Sequence, residues 1–113
     1  MGKRSRITES PPAAVENALR QLGRNLRTAR LRRRLRIQDV ADRIGASRFT
    51  VAGLEKGKPG ASGAAYFGAL WALGLLNQAD NLADPDRDEE GKVLESARSP
   101  RRASRRRRLD NDF

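Results

Sequence analysis

The sequence predicts an all-α fold: a compact five-helix domain flanked by disordered basic tails. Three observations carry this. Apolar residues recur at three- and four-residue steps through most of residues 14–83, the spacing of one helical face, with no alternating strand pattern and no internal repeat. The breaks between these stretches are short and fall at Gly45, Gly57, Pro59-Gly60 and Gly74, as in helix–helix connections of a small bundle. The chain has 113 residues, 37% hydrophobic and 34% charged, enough for one small domain with a modest core. Residues 1–13 read as a disordered basic arm, 14–83 as the domain, and 84–113 as an acidic hinge leading into an arginine-rich disordered tail.

The arm is polar and closed by Pro11-Pro12. The first helix spans Ala13–Arg33. Its apolar stripe is Val15, Ala18, Leu19, Leu22, Leu26 and Ala29, with Arg20, Arg24 and Arg27 standing off it. The cluster Leu31–Arg36 (LRRRLR) ends this helix, where cations complement the dipole; four arginines exceed what a helix end needs and suit phosphate contact. Ile37–Ile44 and Ser47–Lys56 are the second and third helices. Ser62 caps a fourth, Gly63–Leu73, whose apolar face is Tyr66, Phe67, Leu70 and Leu73. After Gly74, Leu75–Ala83 gives a short fifth helix with Leu75, Leu76, Ala79 and Leu82 on one side. Asp84–Glu90 (DPDRDEE) starts with a helix breaker, Lys92–Ala97 has brief helical character only, and Pro100–Arg108 is low-complexity and basic.

Composition narrows the function classes. Lys and Arg number 24 against 14 Asp and Glu, a formal net charge of +10, which favours a polyanionic partner. The excess lies on the first helix and the C-terminal tail, while residues 37–83 balance at four basic and four acidic. Nearly all the positive charge is arginine, suited to bidentate contacts with phosphate or guanine. With no Cys and no His, a disulfide scaffold and a Cys/His zinc site are excluded, and the usual catalytic bases and thiol nucleophiles are missing. No catalytic constellation can be assembled, so a non-enzyme without metal or cofactor is expected. No apolar run approaches a membrane span or signal-peptide core, so a cytoplasmic protein with no membrane partner is expected.

The stretch around which the chain is organised is Ile37–Lys56. Ala41 is small enough to let two helices cross closely. Gly45 can take a positive φ and so reverse the chain, and Ser47 can cap the next helix. Val51 and Leu54 face back onto Val40 and Ile44. Those positions fit a helix-turn-helix, whose second helix presents its remaining face, here Arg48, Phe49, Ala52, Gly53 and Lys56, to the major groove. An antiparallel helical hairpin without a nucleic-acid role needs none of the four coincidences.

The segments LGRNLRTAR, VADRIGASRFTVAGLEKGK and a fourth helix ending in LGL, about Leu22–Leu75, resemble the Cro/repressor-type (Xre) helix-turn-helix family. The resemblance implies a lambda-repressor-like five-helix domain that binds double-stranded operator DNA as a homodimer. Within the family, EKGKPGASGAAYFGALWALGL leading into LADPDRDEEGKVLESARSPRR is similar to HipB-type antitoxins, implying autorepression and a HipA-type kinase toxin as partner. Arg48 and Phe49 are then base-contact residues: Arg pairs with guanine O6 and N7, an aromatic edge meets a thymine methyl, and Ala52 and Gly53 permit close approach. Arg36, Lys56 and Lys58 are phosphate contacts, joined by backbone N–H groups near Ser62 and Gly63. Arg30 and Glu55 match family positions that form an ion pair. Trp71 and Leu75–Leu76 are read as part of a subunit interface.

Three positions depart from the family pattern. Arg36-Ile37 stands where Thr-Gln usually opens the second helix, removing an N-cap. Arg34 stands where Gly usually follows the first helix, at a steric penalty if φ is positive. Gly53 lowers helix stability by about 1 kcal/mol relative to Ala and offers no side chain for readout. Two other function classes fit the same sequence: an interaction adaptor using the fold to bind protein, and a sequence-independent nucleic-acid binder driven by the arginine tails.

Overall fold

A computed structural model of the chain describes residues 5–98. The described residues are all-helical, and the chain divides into two compact units, residues 1–79 and 80–113.

In the first unit, α1 (Arg6–Glu9) is a single turn in the stretch read as a disordered arm. The Ser5 carbonyl accepts the Thr8 and Glu9 N–H groups, both at 3.1 Å, and the Ser5 and Thr8 hydroxyls meet at 3.1 Å. α2 (Ala13–Arg32) starts directly after the Pro pair, whose fixed φ suits the approach to a first turn. α3 (Ile37–Ile44), α4 (Arg48–Glu55) and α5 (Gly63–Ala72) follow. Leu26, Ala29, Val40, Ala41, Val51, Leu54, Tyr66, Ala69 and Leu73 form the buried core, with Leu19, Leu22, Ile44 and Leu70 packed around it.

The α2 stripe packs on the core only from Leu19 onward, Leu19 and Leu22 half-buried and Leu26 and Ala29 buried, and Val15 and Ala18 are exposed because the core does not extend that far. On α5 the buried row is Tyr66, Ala69 and Leu73, spaced three and four apart, so Phe67 is turned outward. The expected fifth helix Leu75–Ala83 is instead a 3₁₀ stretch, Leu76–Asn81. Gly74, at φ 75°, lets the Leu75 N–H return to the Leu70 carbonyl at 2.8 Å, ending α5. The sequence beyond, LNQADN, is rich in side chains that bond locally to backbone and compete with α-helix. Leu76 and Leu82 are left exposed.

α2 and α4 touch backbone to backbone. A Cβ on Gly23 would stand 2.5 Å from the Glu55 carbonyl oxygen and 2.7 Å from that of Leu54. Gly57, at φ 72°, closes the same contact from the other side, where a Cβ would meet the Leu19 carbonyl oxygen at 2.5 Å. α2 ends in a Schellman-type reversal. Leu35 N–H returns to the Arg30 carbonyl at 3.2 Å, and Arg34 takes the left-handed position at φ 54°.

Residues 84–113 read from the sequence as an acidic hinge and a disordered tail, yet the second unit contains a 3₁₀ turn, Pro85–Arg87, and a ten-residue helix, α6 (Glu89–Arg98). The acidic residues act as caps rather than breakers. Asp84 Oδ1 accepts the Asp86 N–H at 3.0 Å, and Asp88 Oδ1 accepts the Gly91 N–H at 2.9 Å. Glu89 and Glu90 in the first turn and Arg98 in the last match the helix dipole. The expected disordered tail beyond residue 98 lies outside the described residues. Among the described residues, no helix is long and apolar enough to cross a membrane.

Two glycine substitutions should move stability in opposite directions. Gly23→Ala forces α2 and α4 apart and should lower unfolding free energy by about 1–3 kcal/mol. Gly68→Ala places a Cβ 3.5 Å from Ile44 Cγ2, an ordinary contact, in the middle of α5. It should raise stability by up to about 1 kcal/mol through helix propensity. Urea unfolding of the two variants beside the parent checks the signs.

Candidate nucleic-acid interface

The site grows from the turn between α3 and α4. Gly45 adopts φ 66°, and the Ala46 N–H returns to the Ala41 carbonyl at 3.0 Å, closing α3. Ser47 then opens α4, its Oγ accepting the Thr50 N–H at 3.1 Å. Ala41 is fully buried at the crossing, and Val51 and Leu54 lie against Val40 in the core. These contacts fix which side of α4 faces out: Arg48, Phe49 and Lys56 are exposed and Ala52 is half-buried between them. Phe49 is 86% exposed, so no core contact accounts for it.

Gly53, one turn after Phe49, is not exposed on that face. It is buried under the methylene stem of Lys58, whose Cδ would lie 3.5 Å from a Cβ at position 53. Free approach of a ligand to Gly53, expected from its missing side chain, is blocked by this stem. Lys58 itself is exposed but anchored, its N–H donating to the Gly53 carbonyl at 3.0 Å and its carbonyl accepting the Tyr66 hydroxyl at 2.9 Å. Burial pushes the Tyr66 hydroxyl above the usual phenol pKa, so it remains a donor.

At the other end of the motif Arg36 precedes α3 without a capping side chain of its own. Asp39 does that work, its Oδ2 accepting the Arg36 N–H at 2.7 Å, while its Oδ1 pairs with the Arg36 guanidinium at 3.0 Å. The hydrogen bond from the Arg36 side chain, then that from its backbone, hold the Asp39 carboxyl below its ordinary range. The sequence reading missed this partner, although an acidic residue three positions after a helix start is a capping-box signal. The Arg36 side chain is 79% exposed, so phosphate oxygens can reach its outer face while Asp39 holds the inner one.

Ser62 Oγ is already used, accepting the Ala65 N–H at 3.0 Å as the cap of α5. Gly63 beside it is exposed, with open space where a Cβ would be. Arg30 and Glu55 form a buried two-pronged ion pair, Nε to Oε2 at 2.7 Å and Nη2 to Oε1 at 3.0 Å. Arg43, which the sequence reading did not single out, reaches from α3 to the Ala72 carbonyl at 3.0 Å and ties the motif to the end of α5. It lines an open groove of about 450 Å³ with Ile44, Ala46, Thr50, Ser62 and Trp71.

A helix-turn-helix domain profile matches residues 21–80, more than half of the chain. The chain belongs to the helix-turn-helix domain family. No curated protein and no solved structure matches it. The matched span begins within α2 and ends within the 3₁₀ stretch, so it takes in α3, α4 and α5 whole. Of the residues expected to act on DNA, the family fold brings Arg48, Phe49, Ala52 and Lys56 onto one face of α4 and lays Lys58 along its edge. Arg36 stands at the start of α3, and Ser62 and Gly63 at the start of α5.

Breaking the buried ion pair from one side should be costly. Glu55→Gln leaves the Arg30 guanidinium, whose side chain is 10% exposed, without its counter-charge. A loss of about 3–5 kcal/mol in unfolding free energy is expected, against about 0–1 kcal/mol for a solvated pair. Thermal and urea unfolding distinguish the two.

Proposed function

We propose that this chain is a sequence-specific, operator-binding transcriptional regulator that acts as a dimer. The observation that carries the reading is the outer face of α4. A helix packed through Val51 and Leu54 holds Arg48 and an almost fully exposed Phe49 outward at its N-terminal end, where a recognition helix meets base edges. Arg48 matches the O6/N7 edge of guanine and Phe49 the methyl of thymine. Arg36, Lys56 and the first N–H groups of α5 supply sequence-independent contacts to phosphate, and the net charge of +10 supports attraction to the duplex.

One recognition helix spans only a few base pairs, so dimerisation onto two half-sites belongs to the proposal. Phe67 and Trp71, one turn apart on α5 and 45% and 59% exposed, support a subunit interface there. The narrower reading is an autorepressing antitoxin paired with a HipA-type kinase toxin. It rests on the resemblance of residues 55–75 and 82–102. A kinase-type protein encoded beside this chain and co-purifying with it is the test, and absence of such a neighbour removes the narrower reading alone.

Selection of duplexes from a randomised library should return a two-fold-related consensus. Arg48→Ala should then lose about 1–3 kcal/mol on that consensus and relax one base position. Arg36→Ala should weaken selected and scrambled DNA alike and flatten the salt dependence. Equal losses for both variants on both DNAs overturn the division of roles. Sedimentation should show a dimer on the consensus duplex, weakened by Trp71→Glu.

A further inference from the structure

Position 53 lies one turn after Phe49 on α4, and its missing side chain leaves a slot at the edge of the outward face. Lys58 fills that slot. With a Cβ built on Gly53, the two atoms within 4 Å are Lys58 Cδ at 3.5 Å and Cγ at 3.9 Å. The stem is not a loose chain resting on a surface. The Lys58 N–H is bonded to the Gly53 carbonyl, and the Lys58 carbonyl receives the Tyr66 hydroxyl from the core. Both ends of the residue are therefore fixed before the side chain begins, which reduces the ordering entropy left to lose on binding. The ammonium nitrogen is two bonds beyond Cδ, and among the described residues no carboxylate pairs with it.

We propose that Lys58 stands in for the missing side chain of residue 53 and reads the O6/N7 acceptor edge of a guanine. In this role it is a base-reading residue rather than a phosphate contact. A lysine meant for phosphate projects from the rim of the domain. This one lays Cγ and Cδ over Gly53, one turn after Phe49 on the recognition helix. The methylenes cover Gly53 and keep the apolar part out of water, while the charged head stays free. Lysine donates to guanine O6 and N7 as arginine does, so the chemistry of the position is preserved although the side chain comes from five residues further on. This inference rests on the DNA-binding reading above.

The experiment uses the full chain and a duplex selected by it from a randomised library. Each guanine is replaced in turn by 7-deazaguanine, which lacks the N7 acceptor, and binding is titrated for the parent and for Lys58→Met. Methionine keeps an unbranched stem over Gly53 and removes only the charge. The expected result is one guanine per half-site whose replacement weakens the parent about 5-fold or more and Lys58→Met under about 2-fold. Lys58→Met should also lose more affinity for the selected duplex than for a scrambled one. Superimposable 7-deazaguanine profiles, with equal losses on selected and scrambled DNA, overturn the proposal and return Lys58 to phosphate contact while leaving the DNA-binding reading intact. Failure of the library to yield any preferred sequence removes that reading, and this role with it.

Discussion

Arg30 holds the reading face in place. Its guanidinium is buried between the end of α2 and the end of α4, with three donors spent on three partners: the two Glu55 carboxylate oxygens and the Leu35 carbonyl at 2.9 Å. One side chain thus joins the end of α2, the loop into α3, and the last residue of α4. The hydrogen bonds with Glu55 raise the Arg30 pKa against the burial that lowers it. A buried pair of this kind contributes little net stability compared with a well-packed apolar contact, because desolvating two charges consumes most of the attraction. What it supplies is direction. Rotating α4 by one residue breaks two bonds to a charge whose side chain is only 10% exposed to water. The side of α4 that carries Arg48 and Phe49 is consequently fixed relative to α2.

The same junction explains the backbone geometry around it. Gly23 and Gly57 allow α2 and the end of α4 to approach until their backbones touch, which brings Glu55 within reach of Arg30. At the other end of the bond network, Arg34 sits at φ 54°, a left-handed conformation that disfavours a residue with a Cβ. Strain of this kind costs on the order of 1–3 kcal/mol and persists where the surroundings over-determine it. Here they do so twice, through the Leu35 N–H to the Arg30 carbonyl and the Arg30 side chain to the Leu35 carbonyl. The loop is clamped from both faces of one residue, and an arginine can occupy a position where glycine is easier.

The parts legible in the sequence are those governed by local rules. Gly45, Ser47 and Ser62 each have one residue-level reason for their place, and the stripe Leu22, Leu26 and Ala29 has the period of a helix. The parts that were not legible depend on partners that composition and period do not name, some of them distant in sequence. Gly23 looks like an ordinary weak point in a helix until Glu55 is seen against it. Phe67 is outside and Ala69 inside because the buried row of α5 runs Tyr66, Ala69 and Leu73, and an alanine among large apolar residues is a weak signal for the core. The acidic run at residues 84–90 reads as a hinge that starts with a helix breaker, but Asp84 and Asp88 stand at two helix starts, where an acidic side chain is favoured. Position 53 was misread for a related reason: an absent side chain implies open space only when no neighbour covers it, and Lys58 does.

The outward face of α4 mixes long and short side chains. Arg48, Phe49 and Lys56 are exposed, Ala52 is short, and position 53 is empty but for the borrowed stem of Lys58. An aromatic ring left 86% exposed gains nothing in the free protein, and covering apolar surface yields roughly 25 cal/mol per Å². That free energy is available only to a partner that supplies an apolar surface at the N-terminal end of α4. The reading proposed above gives that surface to the 5-methyl of thymine in the major groove, with Arg48 on the neighbouring base. On that reading Arg48 and Phe49 discriminate from the N-terminal end of the helix and Lys58 from beside position 53, while the arginines of the loop before α3 add affinity that is blind to sequence. The pair Arg30–Glu55, at the opposite end of α4, ties that helix to α2 and so restrains its tilt.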